Sequence, residues 1–446
     1  MSGEITERLI RAGMSASEAA RKEILFEAAE DALPTENTFP IMRWFVPGRI
    51  EVLGKHTDYA GGRSILCAAE RGICVAALAR ADSVVNIVDA VDGRRLKIDL
   101  YPDMKLPADG WAIYVMAVAR RVARNFGGGL HGADIAIASD LPRSSGMSSS
   151  SALIVAIFSV LSEMNGLGER AEYQANISSG EELAEYLGCV ENGRSYRDLA
   201  GDRGVGTFGG NEDHTAILCC RAGMLSQYSF CPVRPERTTK FPAEFTFVIA
   251  SSGVEASKTD SAREKYNRVS LAAAEVLAEC RRKFGVQFAT LHAAAMSSAD
   301  AVEQIGLAMA LSANSEFSPE TLVDRFCQFV LESEKIIPAA SDALERGDLR
   351  AFGALVDESQ LGAERGLGNQ IPETIELARM ARELGVVAAS SFGAGFGGSV
   401  WAMVLRADAE QFCARWREKY FSRFGGRDVA GSEFFISAAG PGLLRL

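Results

Sequence analysis

A strand, a loop of small residues and a strongly apolar helix follow one another between residues 133 and 164. Residues 133–138 alternate as a strand does, residues 140–151 are rich in Pro, Ser and Gly, and residues 152–164 predict an apolar helix. This order points the unpaired N–H groups of a helix start at an anion. It indicates either a phosphate cradle or an ordinary serine-rich loop that caps a helix. It is not the P-loop pattern, which ends in Gly-Lys-Ser or Gly-Lys-Thr.

The chain has 446 residues, which exceeds one ordinary domain and predicts two lobes with a ligand cleft between them. Its formal net charge of −11 argues against a nucleic-acid partner, because a phosphate backbone is bound by clustered Lys and Arg. No uncharged apolar run reaches the roughly 18 residues of a membrane helix. We therefore expect no membrane association, a cytoplasmic location, and a monomer or weak homo-oligomer.

The pattern of elements divides the chain into a helical extension at 1–38, a first lobe at 39–225 and a second lobe at 226–446. Apolar positions at helical spacing predict helices between residues 5 and 33, and short β-prone runs begin at Ile41. The second lobe is predicted to contain helices at 261–284, 319–337 and 372–384, followed by a strand-loop segment at 386–405.

Two further segments carry the residue types of a binding site. The first, PGRIEVLGKHTDYAGG at 47–62, places a guanidinium, an ammonium, an imidazole and a carboxylate around a glycine turn. Such groups recognise a polyhydroxylated ligand, although a solvated charged turn has the same composition. The second, GAGFGG at 393–398, allows positive φ and close approach of the backbone to a ligand or another loop. A tight turn next to a strand would also account for it.

The three segments together resemble the motifs of the galacto-, homoserine, mevalonate and phosphomevalonate (GHMP) kinase superfamily, and within it the galactokinases. The family's first motif is close to PGRxNxIGEHxDY and matches 47–59. The second, PxGxGLSSSA, matches 142–151 with Ser144, Met147 and Ser151 in place of Gly, Leu and Ala, and the third, GxGFGG, matches 393–398. The resemblance spans from about Phe39 to the C-terminus. It implies an α+β fold, with a mixed-sheet ATP-binding lobe (ribosomal S5 domain 2-like) followed by a ferredoxin-like lobe.

The resemblance also implies a function, an ATP-dependent sugar kinase that uses Mg²⁺ and transfers the γ-phosphoryl group to a monosaccharide hydroxyl, that of the anomeric C1. GGNEDH at 209–214 is similar to the family's CGxMDQ, so Asp213 inherits the role of base, with Arg49 as its partner. The sequence VEN at 190–192 is similar to a segment that supplies a magnesium ligand, which implies Glu191 with Ser149 or Ser150. Glu185 is a reserve ligand, because the linker at 193–205 is longer than the family's.

The remaining site residues follow from the same comparison. The implied nucleotide contacts are Pro142, Ser144, Ser145, Gly146, Met147, Ser148, Ser149, Ser150 and Trp111. The implied sugar contacts are Lys55, His56, Asp58, Gly210 and Tyr266. The glycines of the third motif are Gly393, Gly395, Gly397 and Gly398. Trp111 and Tyr114 are spaced as helix neighbours, and such a pair is more often part of a core than a cofactor contact.

Lys55 departs from the motif, since the family's Glu there accepts a hydrogen bond from a sugar hydroxyl. A cation at this position gives the hypothesis of a uronic-acid substrate such as galacturonate, held by a charge-assisted contact. A Lys55 side chain turned towards solvent would instead leave plain hexoses as substrates. A further alternative is a sugar sensor of galactokinase type that binds without turnover.

Overall fold

The structure, a computed structural model, describes residues 3–142, 145–254, 260–314, 316–425, 429 and 431–446, without the side chains of 260–262. The strands are β1 Met42–Leu53, β2 Arg63–Ala79, β3 Val84–Asp89, β4 Arg95–Asp99, β5 Ala133–Ser139, β6 Met224–Ser229, β7 Arg234–Lys240, β8 Phe245–Ser251, β9 Ala388–Phe392, β10 Ser399–Leu405, β11 Glu433–Ser437, β12 Ala439–Gly440 and β13 Leu444–Arg445. The α-helices are α1 Glu4–Arg11, α2 Ala16–Asp31, α3 Ala112–Phe126, α4 Ser149–Met164, α5 Ala171–Gln174, α6 Gly180–Asn192, α7 Glu212–Cys219, α8 Asp260–Phe284, α9 Leu291–Ala295, α10 Ala301–Ala310, α11 Pro319–Val330, α12 Ile337–Glu345, α13 Leu349–Gly362, α14 Pro372–Glu383 and α15 Ala409–Phe424.

The N-terminal segment folds into α1 and α2, as its apolar spacing predicts. Leu9 and Phe26 are fully buried against the large sheet, in one cluster with Phe45 of β1 and Cys74 of β2. Lys22 of α2 is also fully buried and pairs with Glu18 at 2.9 Å and with Asp140 at 2.5 Å. The extension is therefore tied to the end of β5, immediately before the serine-rich loop.

The first lobe is built on a mixed sheet whose main path runs β13-β1-β2-β5-β3-β4. All pairs along this path are antiparallel except β3 with β5. The register of β1 against β2 shifts between Pro47 and Arg49 and again between Glu51 and Leu53. Such bulges bend a strand and re-aim its side chains. Arg49 and Glu51, which lie between the two shifts, both line the cleft.

The second sheet has the order β11-β8-β10-β9 and is antiparallel throughout. In chain order this is 4-1-3-2, with helices between its first and second strands and α15 between its third and fourth, which is the ferredoxin-like arrangement. Trp416 of α15 and Leu377 of α14 are fully buried against this sheet. The predicted α+β fold of a mixed-sheet lobe and a ferredoxin-like lobe is confirmed.

Element boundaries differ from the sequence prediction in two places. Helix α4 begins at Ser149 and not at Ala152, because Ser148 adopts a left-handed φ of 61° and the chain turns directly into the helix. The helix predicted at 319–337 contains a π-helical segment, Leu331–Ile336, between α11 and α12. The lobe boundary after residue 225 stays a prediction, and β6 runs across it within the large sheet. No helix of the described residues is long and apolar enough to cross a membrane.

Candidate active site

A cleft of about 430 Å³ brings the three sequence segments together. It is lined by β1, by the starts of α3, α4 and α7, by the end of α6 and by the loop after β9. The predicted site residues that line it are Arg49, His56, Asp58, Trp111, Gly146, Ser148, Ser149, Ser150, Glu191, Gly210, Asp213, Tyr266 and Gly393. Most of the predicted site therefore converges on one cavity, although the role of each residue stays a prediction.

Other predicted residues lie elsewhere. Ser145 and Met147 are buried within the serine-rich loop, where Ser145 Oγ donates to the carbonyl of Pro142 at 2.8 Å. Seven of the predicted site residues that the structure describes do not line the cleft: Lys55, Pro142, Ser145, Met147, Gly395, Gly397 and Gly398. Ser144 lies outside the described residues. Glu185 accepts a hydrogen bond from the backbone N–H of Val233 at 2.7 Å, away from the cleft.

The serine-rich loop ends in the geometry of an anion cradle. Gly146 has a φ of 74°, Ser148 has a φ of 61°, and the first turn of α4 opens into the cleft at Ser149 and Ser150. The hydroxyl of Ser148 is buried and has no hydrogen-bond partner among the described residues. The first N–H groups of an α-helix have no acceptor within the helix, so a helix start next to the unsatisfied Ser148 hydroxyl is suited to a phosphate.

The glycine loop after β9 packs directly on the serine-rich loop. A Cβ on Gly393 would lie 2.7 Å from the carbonyl oxygen of Gly146, so only glycine fits this close approach. Ser399 Oγ donates to the carbonyl of Ser145 at 2.7 Å. A Cβ on Gly395 would meet the carbonyl oxygen of Asn369 at 2.4 Å. The third motif thus packs against the serine-rich loop and supports it. Gly393 is the predicted glycine of this motif that lines the cleft.

Arg49 and Asp213 form the ion pair at the centre of the cleft. Arg49 Nε lies 2.7 Å from Asp213 Oδ1, and Arg49 Nη1 donates to the carbonyl of Gly146. The Arg49 side chain is 5% exposed, whereas that of Asp213 is 31% exposed and open to the cleft. Burial opposes the charge of Arg49, but Asp213 and two more carboxyl groups outweigh it and raise the pKa of the guanidinium. Arg49 therefore stays cationic between the serine-rich loop and Asp213.

Two buried carboxyls, Glu51 and Glu212, flank the same guanidinium, each with an oxygen 3.9 Å from an Arg49 nitrogen. The motifs have uncharged Asn and Met at these positions. Burial raises the pKa of Glu51, and burial with the nearby Glu51 and Asp58 charges raises the pKa of Glu212 well above its usual range. Arg49 is thus the cation that balances several carboxyls.

His56 and Asp58 also line the cleft. Burial lowers the pKa of His56 to about 4, so the imidazole is neutral at pH 7. Since Nε2 faces the carbonyl of Ala394 at 3.2 Å, that nitrogen carries the hydrogen, and Nδ1 accepts from the hydroxyl of Tyr59 at 3.0 Å. Burial raises the pKa of Asp58 to about 6, although it accepts two backbone N–H bonds. A Cβ on Gly210 would lie 2.2 Å from Asp58 Oδ2, which explains this glycine.

Glu191 lies in the last turn of α6 with its carboxylate towards the cleft. Ser151 Oγ is 2.9 Å from Glu191 Oε2 and 3.3 Å from Asp213 Oδ2. In the described part of the chain no group of three or more His, Cys, Asp or Glu side chains is arranged to hold a metal ion. Mg²⁺ is commonly bound by one or two carboxylates together with substrate phosphates and water, and a single carboxylate beside serine hydroxyls fits that pattern.

Sequence reasoning missed several residues of the cleft. Ser151, Glu51 and Glu212 replace uncharged or apolar residues of the motifs, and that difference was the available signal. Arg94 lies with its guanidinium carbon 5.2 Å from the centre of the Trp111 ring and pairs with Asp89 at 2.6 Å, yet no motif includes either residue. They line the end of the cleft near Trp111.

Lys55 points away from the cleft into the second lobe. Its Nζ donates to Ser359 Oγ at 2.9 Å, and Ser359 in turn donates to Glu332 at 2.9 Å. The Lys55 residue is only 2% exposed. Neither of the two sequence-based expectations for Lys55, a substrate anion or solvent, describes this contact.

Three family models match the chain in the regions that build this site. Residues 113–195 match the GHMP kinases N terminal domain, 340–422 match the GHMP kinases C terminal domain, and 36–78 match the galactokinase galactose-binding signature. The galactokinase of Roseiflexus sp. (strain RS-1) is 29% identical over 372 residues, 82% of this chain and 84% of that protein. The galactokinase of Glaesserella parasuis serovar 5 is 26% identical over 90% of this chain and 93% of its own length.

Solved structures share the fold. Lactococcus lactis galactokinase complexed with galactose has a TM-score of 0.76 at 23% identity, covering 96% of this chain and 99% of that chain. Methanococcus jannaschii mevalonate kinase has a TM-score of 0.52 at 14% identity, covering 91% and 99%. The fold and the site define a GHMP kinase, and the chain belongs to that superfamily. Within it the chain is a galactokinase-like sugar kinase.

Proposed function

We propose that the protein transfers the γ-phosphoryl group of ATP to the anomeric C1 hydroxyl of galactose or a closely related neutral monosaccharide. The observation that carries this proposal is the Arg49–Asp213 pair, whose atoms are 2.7 Å apart. The pair lies in a cleft that is also lined by the serine-rich loop, His56 and Asp58. The galactose-binding signature over residues 36–78 and the galactokinase relatives support galactose as the acceptor.

In the proposed reaction the sugar hydroxyl gives its proton to Asp213 while its oxygen attacks the γ-phosphorus, and ADP leaves. Phosphoryl transfer depends mainly on positioning and on neutralising charge. Arg49 keeps Asp213 ionised before transfer and faces the charge that develops during it. The start of α4 holds the phosphates, and Trp111 with Arg94 forms a platform suited to a nucleobase.

Glu191, with Ser149 or Ser150, would hold Mg²⁺ in this scheme. Ser150 is half-buried at the cleft and Ser149 is exposed, and both stand in the first turn of α4. A magnesium ion there would neutralise phosphate charge.

Two alternatives from the sequence are not favoured. A uronate kinase selected through Lys55 needs the ammonium group in the cleft, and that group contacts Ser359 instead. A sugar sensor without turnover would not need a catalytic base. In this site the proposed base, Asp213, is paired with Arg49 and open to the cleft.

A coupled assay of ADP release with a panel of sugars tests the proposal. We expect ADP release well above the no-sugar blank with galactose, and a product whose ³¹P and ¹H spectra place the phosphate on C1. The panel should include glucose, pentoses and galacturonate. Calorimetric binding of galactose with no ADP release would favour a sensor, and turnover confined to another sugar would refute galactose as the substrate.

Replacing Lys55 by Met should leave the preference among sugars unchanged, because the side chain does not reach the cleft. We expect kcat/KM for galactose within about threefold of wild type and no gain or loss of galacturonate turnover. The lost hydrogen bond near Glu332 should lower the free energy of unfolding by roughly 1–3 kcal/mol. Steady-state kinetics on both sugars and urea titration measure the two effects. A changed ratio of galactose to galacturonate turnover would restore Lys55 as a specificity residue.

A further inference from the structure

The hydroxyl of Ser151 lies between the two carboxylates on which the proposed reaction depends. It is 2.9 Å from Glu191 Oε2 and 3.3 Å from Asp213 Oδ2. Ser151 is 1% exposed, so this hydroxyl is shielded from bulk water. A serine has one hydroxyl hydrogen and can donate to one of these acceptors at a time. The second motif has Ala at this position, so the contact is a property of this chain.

The place of Ser151 is fixed by three helices that meet beside the cleft. Ser151 belongs to the first turn of α4, Glu191 to the last turn of α6 and Asp213 to the first turn of α7. Helices α6 and α7 approach closely, since a Cβ on Gly188 would lie 2.1 Å from Asn211 Oδ1. The spacing of the three side chains is therefore set by helix packing and not by a flexible loop.

Each oxygen of the Asp213 carboxylate faces a different group. Arg49 Nε is 2.7 Å from Oδ1, and Ser151 Oγ is 3.3 Å from Oδ2. Two contacts on the two oxygens restrict rotation of the carboxylate about its terminal bond, which is otherwise a broad, soft torsion. A general base must present one lone pair to the substrate hydroxyl, within hydrogen-bond distance, to accept its proton.

We infer that Ser151 is a positioning residue, which orients the Asp213 carboxylate towards the acceptor hydroxyl and ties it to Glu191. The inference rests on the proposed function. A cation bound at Glu191 would weaken that carboxylate as an acceptor, and the single Ser151 hydrogen would then favour Asp213. In that state Ser151 would couple an occupied nucleotide side to an aligned base.

The test is Ser151→Ala, which restores the residue of the motif. Loss of the contact should lower kcat for galactose by about tenfold, since hydrogen bonds to charged groups are of that strength. KM for galactose and for ATP should stay within about twofold, because the hydroxyl acts on orientation and not on binding. Ser151→Thr keeps the hydroxyl and should recover most of the lost kcat.

Ser159→Ala is the matched control. Ser159 is on the same helix, and its hydroxyl donates to the carbonyl of Val155 at 2.8 Å, away from the cleft. It should retain wild-type kcat. An unchanged kcat in Ser151→Ala, or a rise in KM for ATP with kcat preserved, would overturn the inference, because the hydroxyl would then serve binding alone or nothing. Wild type without ADP release on any sugar would overturn the proposed function, and the inference with it.

Discussion

Replacement of Asp213 by Asn should lower kcat by about a thousandfold, within the range that general bases contribute. The amide has the shape of the carboxylate, but it cannot accept the proton of the sugar hydroxyl. Arg49 keeps Glu51 and Glu212 as neighbours at 3.9 Å. Loss of the Asp213 charge lowers the raised pKa values of both carboxyls, which favours their ionisation beside the buried guanidinium. The variant should therefore fold and still bind galactose and nucleotide. Steady-state ADP release, with calorimetric titration of galactose, measures the two properties separately.

Asp342→Asn is a matched control for the loss of one aspartate. Asp342 is exposed and pairs with Arg237 at 2.5 Å on the surface of α12. Exposed pairs contribute at most about 1 kcal/mol, and this one lies far from the chemistry. Its kcat should equal that of wild type. Near-normal turnover in Asp213→Asn, with binding intact, would show that another group takes the proton or that no base is needed.

Much of the site could be predicted from the motifs, because each motif is a local pattern of residue types that is visible in the sequence. Arg49 in PGR at 47–49 and Asp213 in NED at 211–213 are 164 residues apart in the sequence. The resemblance implies that these two side chains meet, and they lie 2.7 Å apart. The fold class followed from the same resemblance, since the motifs imply the α+β fold of the superfamily with its mixed-sheet and ferredoxin-like lobes.

The direction of a side chain from a turn was not visible in the sequence. The resemblance implies a sugar contact for Lys55, because this residue stands at the position of the motif's Glu. The turn instead directs the Lys55 side chain towards Ser359 on α13, 304 residues later. Such a contact depends on the packing of two lobes, which no local pattern records. Ser151 was noted only as a departure from the motif, because its partners come from two other helices.

Replacement of Arg49 by Met should have the largest effect on stability. It removes the cation beside Glu51, Glu212 and Asp213, and removal of one partner from a buried ion pair typically costs about 3–5 kcal/mol. We expect a loss of this size in the free energy of unfolding at pH 7, measured by urea titration. Turnover should also be lost, because Asp213 would no longer be held ionised. The Glu51 and Glu212 carboxyls already have raised pKa values with Arg49 present.

The loss of unfolding free energy in Arg49→Met should depend on pH in a definite direction. Without the guanidinium, the folded-state pKa values of the buried carboxyls rise further above their unfolded values, so the folded chain binds more protons than the unfolded chain. The free energy of unfolding then falls as pH rises above the ordinary glutamate pKa and recovers as pH is lowered. The difference from wild type should therefore be smaller at pH 5 than at pH 8. Adding Glu212→Gln to Arg49→Met removes one buried carboxyl that has lost its cationic partner, and it should restore part of the stability at pH 8. A deficit that is equal at both pH values and unchanged in the double variant would mean that Arg49 stabilises the fold through packing against Phe392 and not through charge.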